Sequence, residues 1–331
     1  MQQNKLFVTF SPHERDDLKT DKIMLYVVYA LIPAMGVSIY YFGFYAIRTY
    51  LLTIIFTLFF EAAFQKISKR KITLHDNSAL VTAILLAMNL PPSSPWWLIL
   101  VGSFIAIIVG KQVFGGLGQN PFNPALVARV FLLISWPAQM TNWIKPVPIT
   151  QKFMIDAVSV ATPLGQSKTE VLTYGKIVSS EIANVSNLFL GNVGGSLGEI
   201  SAIAIILGGL FLLYKRIISW HIPVSFIVAF LVIVVPYWLF TPEKTLNPVI
   251  HLFSGGLMLG AFFMATDMVT SPVTKKGQII FGIGCGILTA VIRLFGGYPE
   301  GVSFAILIMN AFVPLIDYYL RPKSFGEVTS A

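Results

Sequence analysis

Ten stretches of this chain are apolar enough to leave water. They span 23–43, 48–65, 79–90, 96–111, 124–136, 197–214, 220–240, 249–266, 277–295 and 302–320. A helix needs about 20 such residues to cross a bilayer, because every backbone group must be satisfied inside the segment where lipid offers no partner. Composition agrees. Of the residues, 55% are hydrophobic and 11% charged, and the mean hydropathy is +0.75, whereas soluble domains are about one quarter charged. The expectation is an all-α integral membrane protein with about ten transmembrane helices. The third and fifth stretches are short and bounded by "NLPPSSP" and "NPFNP", so each reads as a broken or partial helix. The choice between full span and half-helix stays open for the third, fifth and eighth.

Charge sets the orientation. With both termini in the cytoplasm, 15 of the 23 Lys and Arg fall on the inner side, including Lys66, Lys69, Lys111, Lys215 and Lys275. Six fall outside, four of them in one long loop, so the positive-inside rule selects this topology. The division is a cytoplasmic segment 1–22, a first transmembrane repeat 23–136, an outer loop 137–196, a second repeat 197–320 and a cytoplasmic tail 321–331. Residues 1–22 lack the short apolar core of a cleaved signal, and the expected home is the inner (cytoplasmic) membrane. The net charge of +8 is scattered beside apolar segments, so nucleic acid is discounted as a partner. A single cysteine, Cys285, cannot supply an iron-sulfur ligand set.

The two halves resemble each other. "ALVTAILLAMNLPP" lies over "LMLGAFFMATDMVT", with Ala83 on Ala261 and Asn89 on Asp267, and "FGGLGQNPFNPALVARVF" lies over "FGGYPEGVSFAILIMNAF". Five spans per half invert the second relative to the first, as the charges independently require. Two inverted five-helix repeats with broken helices place polar residues near the midplane, where they serve ions or polar ligands. The candidates for an ion pathway are Glu61, Asp267 and Asp317, beside Asn89, Arg129 and Asn310. Lys66 and Arg321 lie close enough in sequence to offer Glu61 and Asp317 helix-end partners. Asn120 and Asn123 in "GQNPFNPA" read as turn residues or as ligands. A non-redox channel or secondary transporter shares all these features.

The stretch "DAVSVATPL" in the outer loop adds a different chemistry. Asp156, Ser159, Ala161 and Thr162 spell D-x-x-S-x-A-T, and Pro163 biases Thr162 toward extended backbone. A threonine hydroxyl is a weak nucleophile that needs an external enzyme to react, and an outer loop is accessible to one. The pattern resembles the signature at which a flavin transferase esterifies flavin mononucleotide (FMN) to threonine. With "FGGLGQNPFNPALVARV" and "MATDMVTSP", it makes the chain similar, from about residue 20 to 320, to the family that unites the D subunit of the Rnf complex with the B subunit of the sodium-pumping NADH:quinone oxidoreductase. Its length is nearer the Rnf members. One departure is Val160, where relatives commonly have glycine.

The resemblance implies a membrane flavoprotein subunit of an ion-translocating ferredoxin:NAD+ oxidoreductase. Thr162 would carry FMN, with Asp156 and Ser159 serving transferase recognition, and a noncovalent riboflavin would lie near Asn120 and Asn123. The implied partners are the other Rnf subunits, among them a second FMN-bearing subunit and iron-sulfur subunits, together with the transferase, Na+ or H+, and the lipid membrane. No residue is assigned to catalysis or to a metal. The glycines of "FGGLGQNPFNP" lack the G-x-G-x-x-G spacing of a dinucleotide site.

Overall fold

The computed structural model describes residues 19–149, 159–179 and 185–321. All regular structure among them is helical apart from one isolated antiparallel bridge, Ile144 with Ser159. The first half contains α1 (Thr20–Phe42), α2 (Phe44–Ile67), the short α3 (Ser78–Met88), α4 (Trp96–Phe104) and α5 (Pro124–Ser135). A π-helical turn, Ile105–Gln112, prolongs α4. Three short helices follow: α6 (Pro137–Met140), α7 (Pro163–Tyr174) and α8 (Val185–Leu190). The second half runs α9 (Ala202–Tyr214), α10 (His221–Phe240), α11 (Pro248–Phe253), α12 (Leu257–Leu259) with a π turn Gly260–Met264, α13 (Lys275–Phe295) and α14 (Val302–Tyr319).

Five helices, α1, α2, α10, α13 and α14, are long and apolar enough to span a bilayer. The stretches suspected of being partial are so. The 11 residues of α3 extend about 16 Å at 1.5 Å per residue, roughly half a hydrocarbon core. The eighth stretch is broken into α11, α12 and a π turn. Local chemistry sets these breaks. After Asn89 the chain meets Pro91 and Pro92, which cannot continue a helix. Asn123 caps α5 by accepting from the N–H groups of Ala125 and Leu126, with Pro124 in the first helical position. Between α11 and α12, Gly255 takes φ +68°, and a Cβ there would stand 2.9 Å from Arg293 Nη2 and 3.0 Å from Glu300 Oε1, so only glycine fits.

The helices are built inside out relative to soluble ones. On α2 the residues Thr49, Thr53, Thr57, Glu61 and Gln65, each four apart, are all buried. Leu51, Ile55 and Phe59 on the opposite side are more than half exposed, as lipid-facing residues should be. Close helix contacts use small residues, since apolar side chains gain little by leaving lipid. A Cβ at Gly208 of α9 would lie 2.1 Å from the Ala30 carbonyl oxygen of α1, and one at Gly286 of α13 would lie 2.5 Å from that of Phe226 on α10.

Candidate functional site

Two buried polar centres bracket α3, one at each end. At its N-terminal end, Lys111 on the π turn donates from Nζ to both Glu61 oxygens, at 2.8 and 2.9 Å, and to Ser78 Oγ at 2.6 Å. Gln112 and Gln65 add donors to Glu61 Oε1 at 3.1 and 3.3 Å. Ser78 donates onward to Asp76 Oδ1 at 2.6 Å. Glu61 therefore pairs with Lys111, 50 residues away, and not with Lys66. Five residues on a helix turn Lys66 about 140° from Glu61, onto another face.

Lys111, Ser78, Asn120, Asn123, Thr266 and Asp267 line one cavity, of about 780 Å³ counted out to its mouth. The structure thus brings together three of the residues singled out from sequence. Asn123 donates from Nδ2 to the Met264 carbonyl at 3.3 Å while capping α5. Asn120 donates to the Phe122 carbonyl at 3.1 Å, and its buried Oδ1 has no partner among the described residues. Asp267 is half-buried, accepting from Val269 N at 3.4 Å and Thr270 Oγ1 at 3.2 Å. Asp317 lies apart and accepts from Val273 N at 3.2 Å; it forms no ion pair with Arg321.

The C-terminal end of α3 holds the second centre. Arg129 donates from Nη1 to the Asn89 carbonyl oxygen. Its Nη2 lies 2.6 Å from Glu300 Oε2 and 3.5 Å from Glu199 Oε1. Gly256 passes beside Glu199, where a Cβ would sit 3.4 Å from Oε1. Arg293 donates to the carbonyls of His251 (2.6 Å) and Ser254 (3.1 Å). Unlike the first centre, this one leaves buried atoms without hydrogen-bond partners among the described residues: Glu199 Oε1, Ser196 Oγ, Ser254 Oγ, His251 Nδ1 and Arg293 Nε. The sequence reading singled out Arg129 alone of these; glutamates between glycines in loops carry no periodicity to betray them.

This second centre lies under α7. A Cβ at Gly255 would come within 3.1 Å of Leu164, two residues after Thr162. Thr162 is the N-cap of α7: its backbone is extended, and its Oγ1 accepts from Gly165 N at 3.1 Å. It is 7% exposed. Ser159 is exposed and donates to Asn142 Oδ1 at 2.9 Å, and Val160 N donates to the Trp143 carbonyl at 2.9 Å. Val160 has no positive φ, so the position does not demand glycine. Asp156 lies outside the described residues. At the far end of α7, Glu170 accepts from Ser179 Oγ, from Ser179 N at 3.0 Å and from Val178 N at 2.9 Å. Those bonds, the Ser179 hydroxyl first, hold its carboxyl down at about 2.

Residues 7–326 match the NQR2, RnfD, RnfE family. The chain is 46% identical over 328 residues to the D subunit of the Na+-translocating ferredoxin:NAD+ oxidoreductase complex of Acetobacterium woodii, covering 98% of this chain and 97% of that one. It is 45% identical over 329 residues to the D subunit of the proton-translocating ferredoxin:NAD+ oxidoreductase complex of Clostridium ljungdahlii, covering 98% of each. To the D subunit of the ion-translocating oxidoreductase complex of Shigella sonnei it is 41% identical over 348 residues, covering 97% of this chain and 98% of that one. With ten apolar stretches, half-helices meeting inside the molecule and similarity running end to end, the chain belongs to the NQR2, RnfD, RnfE family.

Proposed function

We propose that this chain is the flavin-bearing membrane subunit of an Rnf-type ion-translocating ferredoxin:NAD+ oxidoreductase, with FMN esterified through its phosphate to Thr162. The observation that carries the reading is the position of Thr162 in D-x-x-S-x-A-T at the head of a helix. Its Oγ1 caps α7 with a lone pair, not with its proton, so esterification at that oxygen leaves the cap in place. A phosphate there lies at the positive end of the helix dipole. Gly165 keeps the place open, since a Cβ would stand 3.0 Å from Oγ1. Asp156 and Ser159 present the segment to the transferase.

A noncovalent riboflavin fits the other cavity. The unpartnered Asn120 Oδ1 is an acceptor for a ring N–H, and the apolar wall of Val27, Val81, Leu85 and Phe263 suits an aromatic ring. Bound flavin supplies one- and two-electron redox chemistry; the protein supplies placement and electrostatics. Asp267, the cavity carboxylate with no cation paired to it among the described residues, is the residue we assign to cation binding on the ion path. Glu61 is neutralised by Lys111 and steadies the wall, while Asp317, apart from this cavity, is a second candidate on the ion path.

Moving one charge against 100 mV costs about 2.3 kcal/mol, the energy one electron releases in falling 100 mV, so a drop of that order drives one cation. The ion is Na+ or H+, the two that relatives of nearly equal identity carry in their names. Nicotinamide and ferredoxin are handled by partner subunits, including iron-sulfur subunits and a second FMN-bearing one. The chain sits in the inner membrane with both termini cytoplasmic and the Thr162 loop outside.

Denaturing gel fluorescence tests the attachment. Coexpressed with a flavin transferase, the chain should carry flavin emission through the gel and lose it in Thr162→Ala. Emission retained in that variant would move the attachment to another residue, and emission missing from the parent would favour a non-redox channel or transporter. Asp267→Asn should impair ion-stimulated turnover of the assembled complex far more than flavin content; equal losses would mean misfolding.

A further inference from the structure

We propose that a second cavity, enclosed by α7, the segment before α11 and the last turn of α13, binds a phosphate-type oxyanion. Its polar lining includes Ser167, Lys168, Lys244, Thr245, His251 and Arg293, with Tyr237 beside them, and no carboxylate among the described residues lines it. The open space is about 470 Å³ counted to the mouth, and Leu164, Val171, Leu246 and Leu294 complete the walls.

The donors facing this space are incompletely used. Arg293 is 5% exposed, and each of its terminal nitrogens donates one N–H, to the carbonyls of His251 and Ser254. Its Nε has no partner among the described residues. His251, also 5% exposed, meets Thr245 Oγ1 at 2.9 Å through Nε2 and leaves Nδ1 without a partner among the described residues; in the tautomer where Nε2 accepts from the Thr245 hydroxyl, Nδ1–H is a free donor. Lys168 donates to the Tyr298 and Arg293 carbonyls at 2.8 and 3.3 Å, which uses two of three ammonium protons. Burial pushes its ammonium below the ordinary lysine value. Lys244 is exposed at the rim.

Buried donors without acceptors are costly, and the charge of Lys168 and Lys244 meets no carboxylate among the described residues of this lining. An anion with several acceptor oxygens meets the guanidinium, the imidazole and the ammonium groups from different directions at once. A halide has too small a reach to do so. Glu300 and Glu199 balance Arg293 from its other side, across Gly255 and Gly256, outside this cavity. The ligand is thus a phosphate group, and its source is either a phospholipid headgroup or free phosphate.

The test uses the full-length chain in detergent, in a Thr162→Ala background. No phosphate is then carried on α7, and the result is independent of the flavin reading. Inorganic phosphate is titrated calorimetrically at constant ionic strength in chloride, and native mass spectrometry records copurifying phospholipid. Phosphate should bind at least ten-fold more tightly to this chain than to one that also carries Lys168→Gln and Lys244→Gln. Phospholipid retained by the first and lost from the second identifies the headgroup as the source; phosphate binding without retained lipid identifies the free anion. Thermal melts verify folding, and if the double variant melts early, exposed Lys244→Gln alone should still weaken binding several-fold. Neither phosphate affinity nor lipid retention changing between folded proteins would overturn the proposal.

Discussion

Glu61 and Arg129 are both buried charges among lipid-facing helices, at opposite ends of α3, yet their surroundings differ. Around Glu61 the account closes: both oxygens are bound by Lys111 and supported by Gln65 and Gln112, and Ser78 passes the contact to Asp76. Around Arg129 it stays open, with Glu199 Oε1, Ser196 Oγ and Ser254 Oγ buried and without hydrogen bonds among the described residues. A closed ion pair resists rearrangement because each partner removed strands the other; an open centre can take up water, protons or ligands with little refolding. The first centre therefore acts as a fastening between α2 and α4. The second, lying under the helix headed by Thr162, is the responsive one.

The comparison breaks most visibly at Lys111. Lys111→Met strands a buried carboxylate and should cost about 3–5 kcal/mol in thermal unfolding of the detergent-solubilised chain. Adding Glu61→Leu should recover most of that loss. At the open centre Glu300→Gln should cost less, about 1.5–3 kcal/mol, for one charge-assisted bond to Arg129. Glu199→Gln should cost less again, about 1 kcal/mol, because the contact it loses with Arg129 is the longer one, 3.5 Å, and Oε1 makes no hydrogen bond among the described residues. A Glu199 variant as damaging as the Lys111 one would erase the distinction.

The smallest effect lies outside the helical core, on α7. Glu170 is held from its ordinary 4.5 down to about 2 by its bonds to Ser179 and Val178. The contribution of a depressed carboxyl is present above the unfolded value and is lost as pH falls toward the folded one. Amide exchange at Val178 and Ser179 should therefore be slow at neutral pH, corrected for its intrinsic pH dependence. Protection should fall as pH drops from 4.5 toward 2, and be absent at all pH values in Glu170→Ala.

Much of the architecture was legible because lipid writes it in simple terms. Apolar length marked the spans, and Pro91, Pro92, Pro121 and Pro124 marked the half-helices. Asn120, Asn123 and Asp267 were each readable as polar residues placed where broken helices meet, but that the three share one cavity was not. The partner of Glu61 was not legible in the flanking charges, where Lys111 counted only toward topology. The spacing of Thr49, Thr53, Thr57, Glu61 and Gln65 at every fourth residue was the signal that Glu61 faces inward. Arg293, Glu199 and Glu300 stayed hidden because their meeting depends on how the loops before α9 and α14, both in the second half, fold back toward α3 and α5 of the first, which no local period records.

The central claim is that Thr162 carries a flavin through a phosphoester. Intact mass of the chain purified after coexpression with a flavin transferase addresses it most directly. The result expected is a polypeptide heavier by one esterified FMN, returning to the bare sequence mass in Thr162→Ala. A chain that weighs only its amino acids, with active transferase present, would contradict it.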